Sequence, residues 1–316
     1  MKFDQDTLDP KQTQIFHAIL GLTVSIGFIM NLILLIILIM QGLPSRLTTI
    51  LLRSQSFIDC TVCLITLLLN IFPDFTSTNI YYLDIFICHA WQGQAIFWWF
   101  VLAGVFNLIF TAVDRYWAII TPQKYKNQLT KKIIIMMVAI YLGSGIITCP
   151  AFLQTSLVNK TCLSQYAFGG EVVNNFFKAF SIIWFLSVYG IPSVVMIYLY
   201  TKIIFQLGKT FDKSQSSKAK SASRTLTNAT IVITIIFILT VSFDAFYYML
   251  GYWKLVNYVF NAPLQLVGVF LTAFNSSMNS IVLFVMVKSL RQKIGNLLRI
   301  ILRKKPTAID PSISDL

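Results

Sequence analysis

Two carboxylates stand inside long apolar stretches of this sequence, where a charge is costly. Asp59 lies in the stretch at residues 49–72, and Asp244 lies in the stretch at residues 225–253. A charged side chain in such surroundings has to face the protein interior and find a polar partner. Asp244 shares a helical face with Phe237, seven residues earlier. If that face looks inward, Asp244 can bind a cationic group; otherwise it is a water-exposed acid near the end of its helix.

Residues that commonly carry enzyme chemistry are sparse and scattered. The two histidines, His17 and His89, are far apart in the sequence. No cluster has metal-ligand spacing, and no motif pairs a nucleophile with a base. The sequence therefore predicts no enzyme, no catalytic residues and no metal centre.

The elements that position these carboxylates are membrane helices. Of the 316 residues, 56% are hydrophobic and only 12% are charged, which is far from the composition of soluble domains. A bilayer core about 30 Å thick needs roughly 20 apolar residues of helix, because its backbone polar groups must pair within the segment. Stretches that satisfy this are residues 14–40, 49–72, 86–118, 132–153, 176–206, 225–253 and 262–286.

The predicted fold is an all-α membrane protein, a seven-transmembrane helix bundle with a short amphipathic eighth helix. Residues 1–13 form a polar N-terminus without the pattern of a cleaved signal peptide, residues 14–286 form the bundle, and residues 287–316 form the last helix and tail. The apolar face of that helix carries Val287, Leu290, Ile294, Leu297 and Ile301. Basic residues surround this face, which is typical of a helix lying on a membrane surface.

Basic residues are sorted by loop. Most of the 25 Lys and Arg flank the first, third and fifth connections or follow the seventh stretch. Cytoplasmic loops retain Lys and Arg, so we expect a multi-pass plasma-membrane protein with its N-terminus extracellular and its C-terminus cytoplasmic. The net charge of +13 then faces anionic lipid and a cytoplasmic partner, and no nucleic acid is expected.

The predicted outer side holds two cysteines and a glycosylation sequon. Cys88 and Cys162 both fall in this oxidising compartment, which predicts a disulfide between them. Asn159 begins the sequon Asn-Lys-Thr in the same loop as Cys162. Cys60, Cys63 and Cys149 fall inside apolar stretches and are expected to pack as small apolar side chains.

The most specific segment is DRYWAIITPQKY, residues 114–125. By itself, the pair Asp114 and Arg115 could be an interfacial ion pair. The segment resembles the signature of the rhodopsin-like (class A) G-protein-coupled receptors, in which Asp-Arg-Tyr is followed at these spacings by Pro and Tyr. The resemblance implies that Asp114, Arg115, Tyr116, Pro122 and Tyr125 take part in G-protein coupling.

Matches elsewhere extend the resemblance over about residues 14–302. Tyr200 follows a span proline, Pro192, at the family's spacing and joins the expected coupling residues. Asn31 and Asp59 resemble the family's polar pair, and FNSSMN resembles its seventh-span motif. The expected polar core consists of Asn31, Asp59, Asn275, Ser276 and Asn279. By resemblance, Asp59 and the seventh-span residues could hold a hydrated Na⁺; a plain interhelical hydrogen-bond network is the alternative, and no other cofactor is expected.

The sequence also departs from the family pattern. Val241 and Phe243 replace the sixth-span Trp and Pro, while Ser280 and Leu283 replace the Pro and Tyr of the seventh-span motif. The fourth-span Trp is absent near Tyr141, and the interval from Cys88 to Arg115 is two residues longer than usual. The chain therefore looks like a divergent member of the family.

The resemblance implies that an extracellular ligand binds at the outer mouth and that a heterotrimeric G protein binds at the inner end. Phe97 stands at the position where amine receptors carry an aspartate, and Ala273 stands near the position where opsins carry the lysine that binds retinal. The chain is therefore expected to be neither a typical amine receptor nor a light sensor. The expected pocket residues are Phe97, Trp98 and Asp244, although such aromatics also form interfacial belts. A cationic ligand, a neuropeptide above all, fits this mouth.

Two other classes stay open. A secondary transporter or channel would also need intramembrane carboxylates, but it would leave the Asp-Arg-Tyr segment without a role. A receptor-like protein that binds ligand without G-protein signalling would explain the altered sixth and seventh spans. If the chain does signal, Ser223 and Arg224 provide no acid to restrain Arg115, which predicts appreciable basal activity.

Overall fold

The computed structural model describes residues 10–72, 76–121, 129–164, 170–209, 218–259 and 262–303. Within these ranges, seven helices are long and apolar enough to cross a membrane, and they are called the first to the seventh span. Their bounds are Lys11–Met40, Arg46–Ile71, Ala95–Ile120, Thr130–Leu153, Glu171–Gly208, Ser223–Tyr252 and Pro263–Met286. The predicted seven-helix bundle is confirmed. Pro122 and Tyr125 lie outside the described residues.

Five spans belong to uninterrupted α-helices, and two contain turns of another helix type. The uninterrupted helices are Pro10–Met40, Arg46–Ile71, Ala95–Ile120, Lys218–Tyr252 and Pro263–Met286. The fourth span consists of Leu129–Val138, the π-helical Ala139–Gly143, Ser144–Thr148 and the 3₁₀ turn Cys149–Leu153. The fifth consists of Glu171–Phe185, the π-helical Leu186–Gly190 and Ile191–Lys209. Periodicity in the sequence did not predict these π turns.

The start of the third span differs from the prediction of one continuous helix over residues 86–118. A short helix at Tyr81–Phe86 leads into a π turn at Ile87–Gln92, and the span itself begins at Ala95. Between them, Gln94 has the left-handed backbone angle φ = 55°, which breaks the helix. Gly93 and Gln94 stand outside both helices, so this break accommodates the two extra residues between Cys88 and Arg115.

The segment joining the fourth and fifth spans forms a β-hairpin, which the sequence did not predict. Strand Thr155–Val158 pairs antiparallel with strand Thr161–Ser164. The predicted disulfide is confirmed, because Cys162 in the second strand is bonded to Cys88 in the π turn. The end of the bundle that carries this bond is called the disulfide end, and the opposite end, at Asp114 and Arg115, is called the Asp-Arg end.

The amphipathic helix predicted after the seventh span is present at Lys288–Arg303. Leu290 is fully buried and joins the main hydrophobic core of the bundle. The ammonium group of Lys293 donates to the carbonyl oxygens of Gln41 at 2.7 Å and Gly42 at 2.9 Å. This helix therefore docks against the loop that follows the first span.

Candidate ligand and signalling sites

The Asp-Arg end contains a buried ion pair. The guanidinium of Arg115 donates to the carboxylate of Asp114, and both side chains are buried. The hydroxyl of Thr48 in the second span donates to the same carboxylate at 2.8 Å and accepts a hydrogen bond from Arg115. Arg115 is therefore enclosed by its neighbours and is closed to a partner in this conformation.

The structure places two more of the predicted coupling residues near this ion pair. Tyr200 is buried in the fifth span, within electrostatic reach of Asp114 and Arg115 and facing the sixth span. Tyr116 is half-buried and packs against the hydrophobic core. Leu283, which replaces the family's seventh-span tyrosine, is buried and apolar. It therefore has no hydroxyl to offer Tyr200.

Asp59 lies at the centre of a polar core in the middle of the bundle. Its carboxylate accepts a hydrogen bond from Asn279 at 2.8 Å. The Nε2 group of Gln55 donates to both carboxylate oxygens, at 3.0 and 3.1 Å. Gln55 in turn accepts from Asn107 of the third span at 2.7 Å. Asp59 therefore connects the second, third and seventh spans, and Gln55 and Asn107 belong to a network that the sequence analysis did not identify.

Asn31 belongs to the same region but does not contact Asp59 directly. Its amide donates to the backbone carbonyls of Gly27 at 2.9 Å and Ser276 at 3.1 Å. The bond to Ser276 fastens the first span to the seventh. Asn31 therefore positions the backbone that carries Asn275 and Ser276, rather than binding the carboxylate.

A small cavity lies beside Asp59. Asn275, Ser276 and Thr272 of the seventh span line it together with Asp59 and Gln55. Among the described residues, the Oγ1 atom of Thr272 and the Oδ1 atom of Asn275 are buried without a hydrogen-bond partner. Buried polar atoms usually have partners, so this cavity has vacant oxygen ligands next to a carboxylate.

Asp244 lines a second cavity, nearer the disulfide end. Its side chain is 4% exposed. Asp244 therefore faces the inside of the bundle and is not the water-exposed acid that the sequence also allowed. The other lining residues are Trp98, Ala151, Gln154, Phe180, Trp184, Tyr248 and Tyr258. Within the described part of the chain, no Lys, Arg or His lies within ion-pair distance of Asp244.

The structure brings Trp98 and Asp244 to this cavity but does not bring Phe97 there. Phe97 is fully buried in the hydrophobic core and packs edge-to-face on Trp98 at 4.9 Å. It therefore supports Trp98 from behind instead of lining the cavity. Trp99 points to the fourth span, where its indole donates to the carbonyl of Tyr141 at 3.0 Å.

The remaining sequence-predicted position, Asn159, is exposed at the tip of the hairpin. Asn159 and Lys160 have φ values of 48° and 60°, and this is the backbone of a tight two-residue hairpin turn. The side chain therefore extends from the surface of the disulfide end, in the position a sugar acceptor requires.

Comparisons with known proteins agree with this architecture. The sequence profile described as "7 transmembrane receptor (rhodopsin family)" matches residues 30–283. The chain is 27% identical over 212 residues to the octopamine receptor beta-2R of Drosophila melanogaster, covering 63% of this chain and 37% of that one. It is 28% identical over 110 residues to the tachykinin-like peptides receptor 86C of the same organism, covering 32% of this chain and 22% of that one.

A vertebrate protein gives a comparable match. The chain is 30% identical over 112 residues to the trace amine-associated receptor 1 of Mus musculus, covering 33% of this chain and 32% of that one. The matches to these three relatives thus span between about a fifth and two fifths of their lengths. Because the family profile covers most of the bundle, including the ion pair and the polar core, this chain belongs to the rhodopsin family of seven-transmembrane receptors.

Proposed function

We propose that this receptor binds an extracellular ligand carrying a cationic group and transmits that binding to a heterotrimeric G protein. The observation that carries the proposal is the placement of two carboxylates at opposite ends of one bundle. Asp244 lines a cavity without a cationic partner among the described residues, whereas Asp114 holds Arg115 in a closed ion pair. The Asp244 cavity lacks a positive charge, which a ligand could supply. The Asp114–Arg115 pair holds a positive charge, which a G protein could contact once the pair opens.

The proposal includes an orientation in the plasma membrane. The disulfide end faces outside, where a disulfide persists and Asn159 can accept a sugar. The Asp-Arg end faces the cytoplasm, in keeping with the basic residues of the connections on that side. Two relatives named as amine receptors and one named as a tachykinin-like peptide receptor support both ligand classes, because amines and peptides can each present a cation. A peptide would reach Asp244 with one side chain or its amino terminus, because this carboxylate is buried.

Signalling would follow from a shift between two populations. The described conformation is closed, because Asp114 and Thr48 enclose Arg115. A ligand favours the open form only to the extent that it binds that form more tightly. The inner ends of the fifth and sixth spans, which pack around Tyr200, are the elements expected to move.

Nucleotide exchange on purified G proteins tests this function. Libraries of amines and peptides would be applied to the full chain in lipid nanodiscs, and Asp244→Asn would be compared with Glu171→Gln, which changes an exposed acid at the start of the fifth span. We expect agonists to act on the wild type and Glu171→Gln but to lose potency on Asp244→Asn. Binding without exchange on any G protein would support the receptor-like protein that does not signal.

We also propose that the polar core binds Na⁺. The donor set fits, because the Asp59 carboxylate lines the same cavity as the oxygens of Thr272 and Asn275, which have no hydrogen-bond partner among the described residues. Oxygen ligands suit a hard cation, and a monovalent ion balances the single carboxylate. When bound, the ion would supply the positive charge that Asp59 otherwise lacks, while Asn279 and Gln55 would orient the carboxylate.

A further inference from the structure

The cavity around Asp244 has walls of an unusual composition. Five of its lining side chains are aromatic: Trp98, Phe180, Trp184, Tyr248 and Tyr258. Trp98 meets Trp184 edge-to-face at 5.7 Å, and Tyr248 meets Tyr258 edge-to-face at 5.8 Å. These rings line the same cavity as the Asp244 carboxylate. They come from the third, fifth and sixth spans and from the loop that follows the sixth span.

Hydrogen-bonding capacity within this cavity is small. Gln154 donates its amide to the hydroxyl of Tyr248 at 2.6 Å, so part of the polar lining is already engaged. Besides Asp244, the lining residues that the structure describes offer the Gln154 amide oxygen and two tyrosine hydroxyls as side-chain acceptors. Gly268 lies directly behind the carboxylate and contributes no side chain.

These walls discriminate between kinds of cation. A primary ammonium brings three N–H donors and a guanidinium brings five, and each donor that leaves water without a new acceptor costs free energy. A fully alkylated ammonium has no N–H donor to leave unpaired. Its diffuse charge is stabilised by a carboxylate and by aromatic faces, and cation–π attraction is strongest when the site is desolvated.

We propose that the ligand's cationic head group is an alkylated ammonium, tertiary or quaternary, held between Asp244 and this aromatic cage. The inference rests on the proposed cationic ligand and narrows its chemical class. The carboxylate provides the charge partner, and the rings of Trp98, Trp184 and Tyr248 replace the hydration shell. Because Asp244 belongs to the sixth span and Trp184 to the fifth, occupation of the cage would also join the two spans proposed to move.

Two small salts test the proposal on the full chain in lipid nanodiscs. Tetramethylammonium and methylammonium chloride carry the same charge and differ in N–H donors, and calorimetry would measure their dissociation constants. We expect tetramethylammonium to bind roughly tenfold more tightly than methylammonium. Asp244→Asn should abolish the binding of both, and Glu171→Gln should change neither.

A pair of cage variants separates cation–π binding from charge pairing. Trp184→Leu should weaken the binding of tetramethylammonium much more than the binding of methylammonium. Trp184→Phe should bind tetramethylammonium with an affinity between those of Trp184→Leu and the wild type. This second variant guards against a folding defect. Equal or tighter binding of methylammonium, with the same dependence on Asp244, would overturn the alkyl preference and leave the cationic site standing. If a folded wild type bound neither cation, the cationic part of the proposed function would fall as well.

Discussion

Gly268 of the seventh span lies against the carboxylate of Asp244, so closely that the glycine cannot carry a side chain without moving the acid. A Cβ atom built on Gly268 would stand 2.6 Å from Oδ1 and 3.1 Å from Cβ of Asp244. The seventh span thus fixes the depth at which the carboxylate enters the aromatic cavity.

Gly268→Ala should therefore weaken binding of a cationic ligand without removing any charge. Overpacking of this kind costs about 1–3 kcal/mol, which corresponds to roughly a five- to 150-fold loss of affinity. Titration of the cation in nanodiscs measures the loss. Gly170→Ala is the matched control, because a Cβ there would meet nothing within 4 Å. Equal affinity in Gly268→Ala and the wild type would show that the carboxylate is not positioned by this contact.

Thr48 controls how tightly Arg115 is held. Thr48→Val removes the hydroxyl that donates to Asp114 and accepts from Arg115, and such a bond contributes about 0.5–1.5 kcal/mol. Basal nucleotide exchange should rise roughly two- to tenfold as the closed state is destabilised. Thr61→Val controls for the loss of a hydroxyl in the same helix, since Thr61 donates to its own helix at Phe57. Unchanged basal exchange would argue against a latch at Thr48.

Basal activity of the wild type remains a prediction of its own. Ser223 and Arg224 stand in the sixth span where the family pattern places an acid. Among the described residues, Asp114 and Thr48 restrain Arg115. Cells expressing the receptor should show second-messenger levels above those of mock-transfected cells. Indistinguishable levels would mean that the contacts of Arg115 with Asp114 and Thr48 are enough to keep the receptor inactive.

Sodium should stabilise the receptor more than potassium does. Ligands that bind only the folded state raise its stability with concentration, so thermal melting in nanodiscs would be followed in NaCl and in KCl of equal ionic strength. Asp59→Asn should abolish the difference between the salts, because it removes the charge beside Thr272 and Asn275. Asp84→Asn, a change outside the spans, should leave the difference intact. Equal stabilisation by both salts would exclude a selective site.

Gly27 and Ser277 lie in close contact between the first and seventh spans. A Cβ on Gly27 would stand 2.6 Å from Cβ and 2.9 Å from Cα of Ser277, and the backbone cannot yield as a flexible side chain can. Gly27→Ala should lower the free energy of unfolding by about 1–3 kcal/mol, seen as a lower melting temperature. Gly295→Ala, where a Cβ would meet nothing within 4 Å, should melt like the wild type.

Asp84 gives the loop after the second span a defined pH dependence. Hydrogen bonds from Ser77 and Thr78 to the charged carboxylate lower its pKa below the ordinary value. The loop's stabilisation should therefore be complete above a pH of about 3.9, the unfolded pKa, and lost as the pH falls through the lowered value. Hydrogen exchange at the Thr78 amide, corrected for intrinsic rates, should show equal protection at neutral and mildly acidic pH. Asp84→Ala should remove that protection at both, and retained protection would contradict this role.

The sequence was most informative where one physical requirement dominated. The spans were predictable because a long apolar helix satisfies its own backbone in lipid. The sequence left the orientation of Asp244 open, and its burial in the structure supports the inward-facing alternative. Gln55 could have been found by the same reasoning, since it stands one helical turn before Asp59. Its bond to Asn107 could not, because it depends on how two spans pack.

Contacts distant in sequence explain the remaining differences. The π turn before the third span is held in part by Thr155, whose hydroxyl donates to the carbonyl of Cys88 at 3.0 Å, and no local pattern encodes that bond. The aromatic cage likewise takes Tyr258 from a loop and Gln154 from the end of the fourth span. Phe97 was expected at the pocket by analogy, but it packs one layer behind it.

The helix break at Gly93 and Gln94 gives the receptor a hydrogen-bonded bend in place of a continuous helix. The short helix that bears Cys88 and the span that bears Arg115 do not form one rigid rod, because Gln94 turns through the left-handed backbone region between them. The direction of the third span is therefore set separately from that of the short helix, which is joined to the hairpin through Cys88 and Cys162.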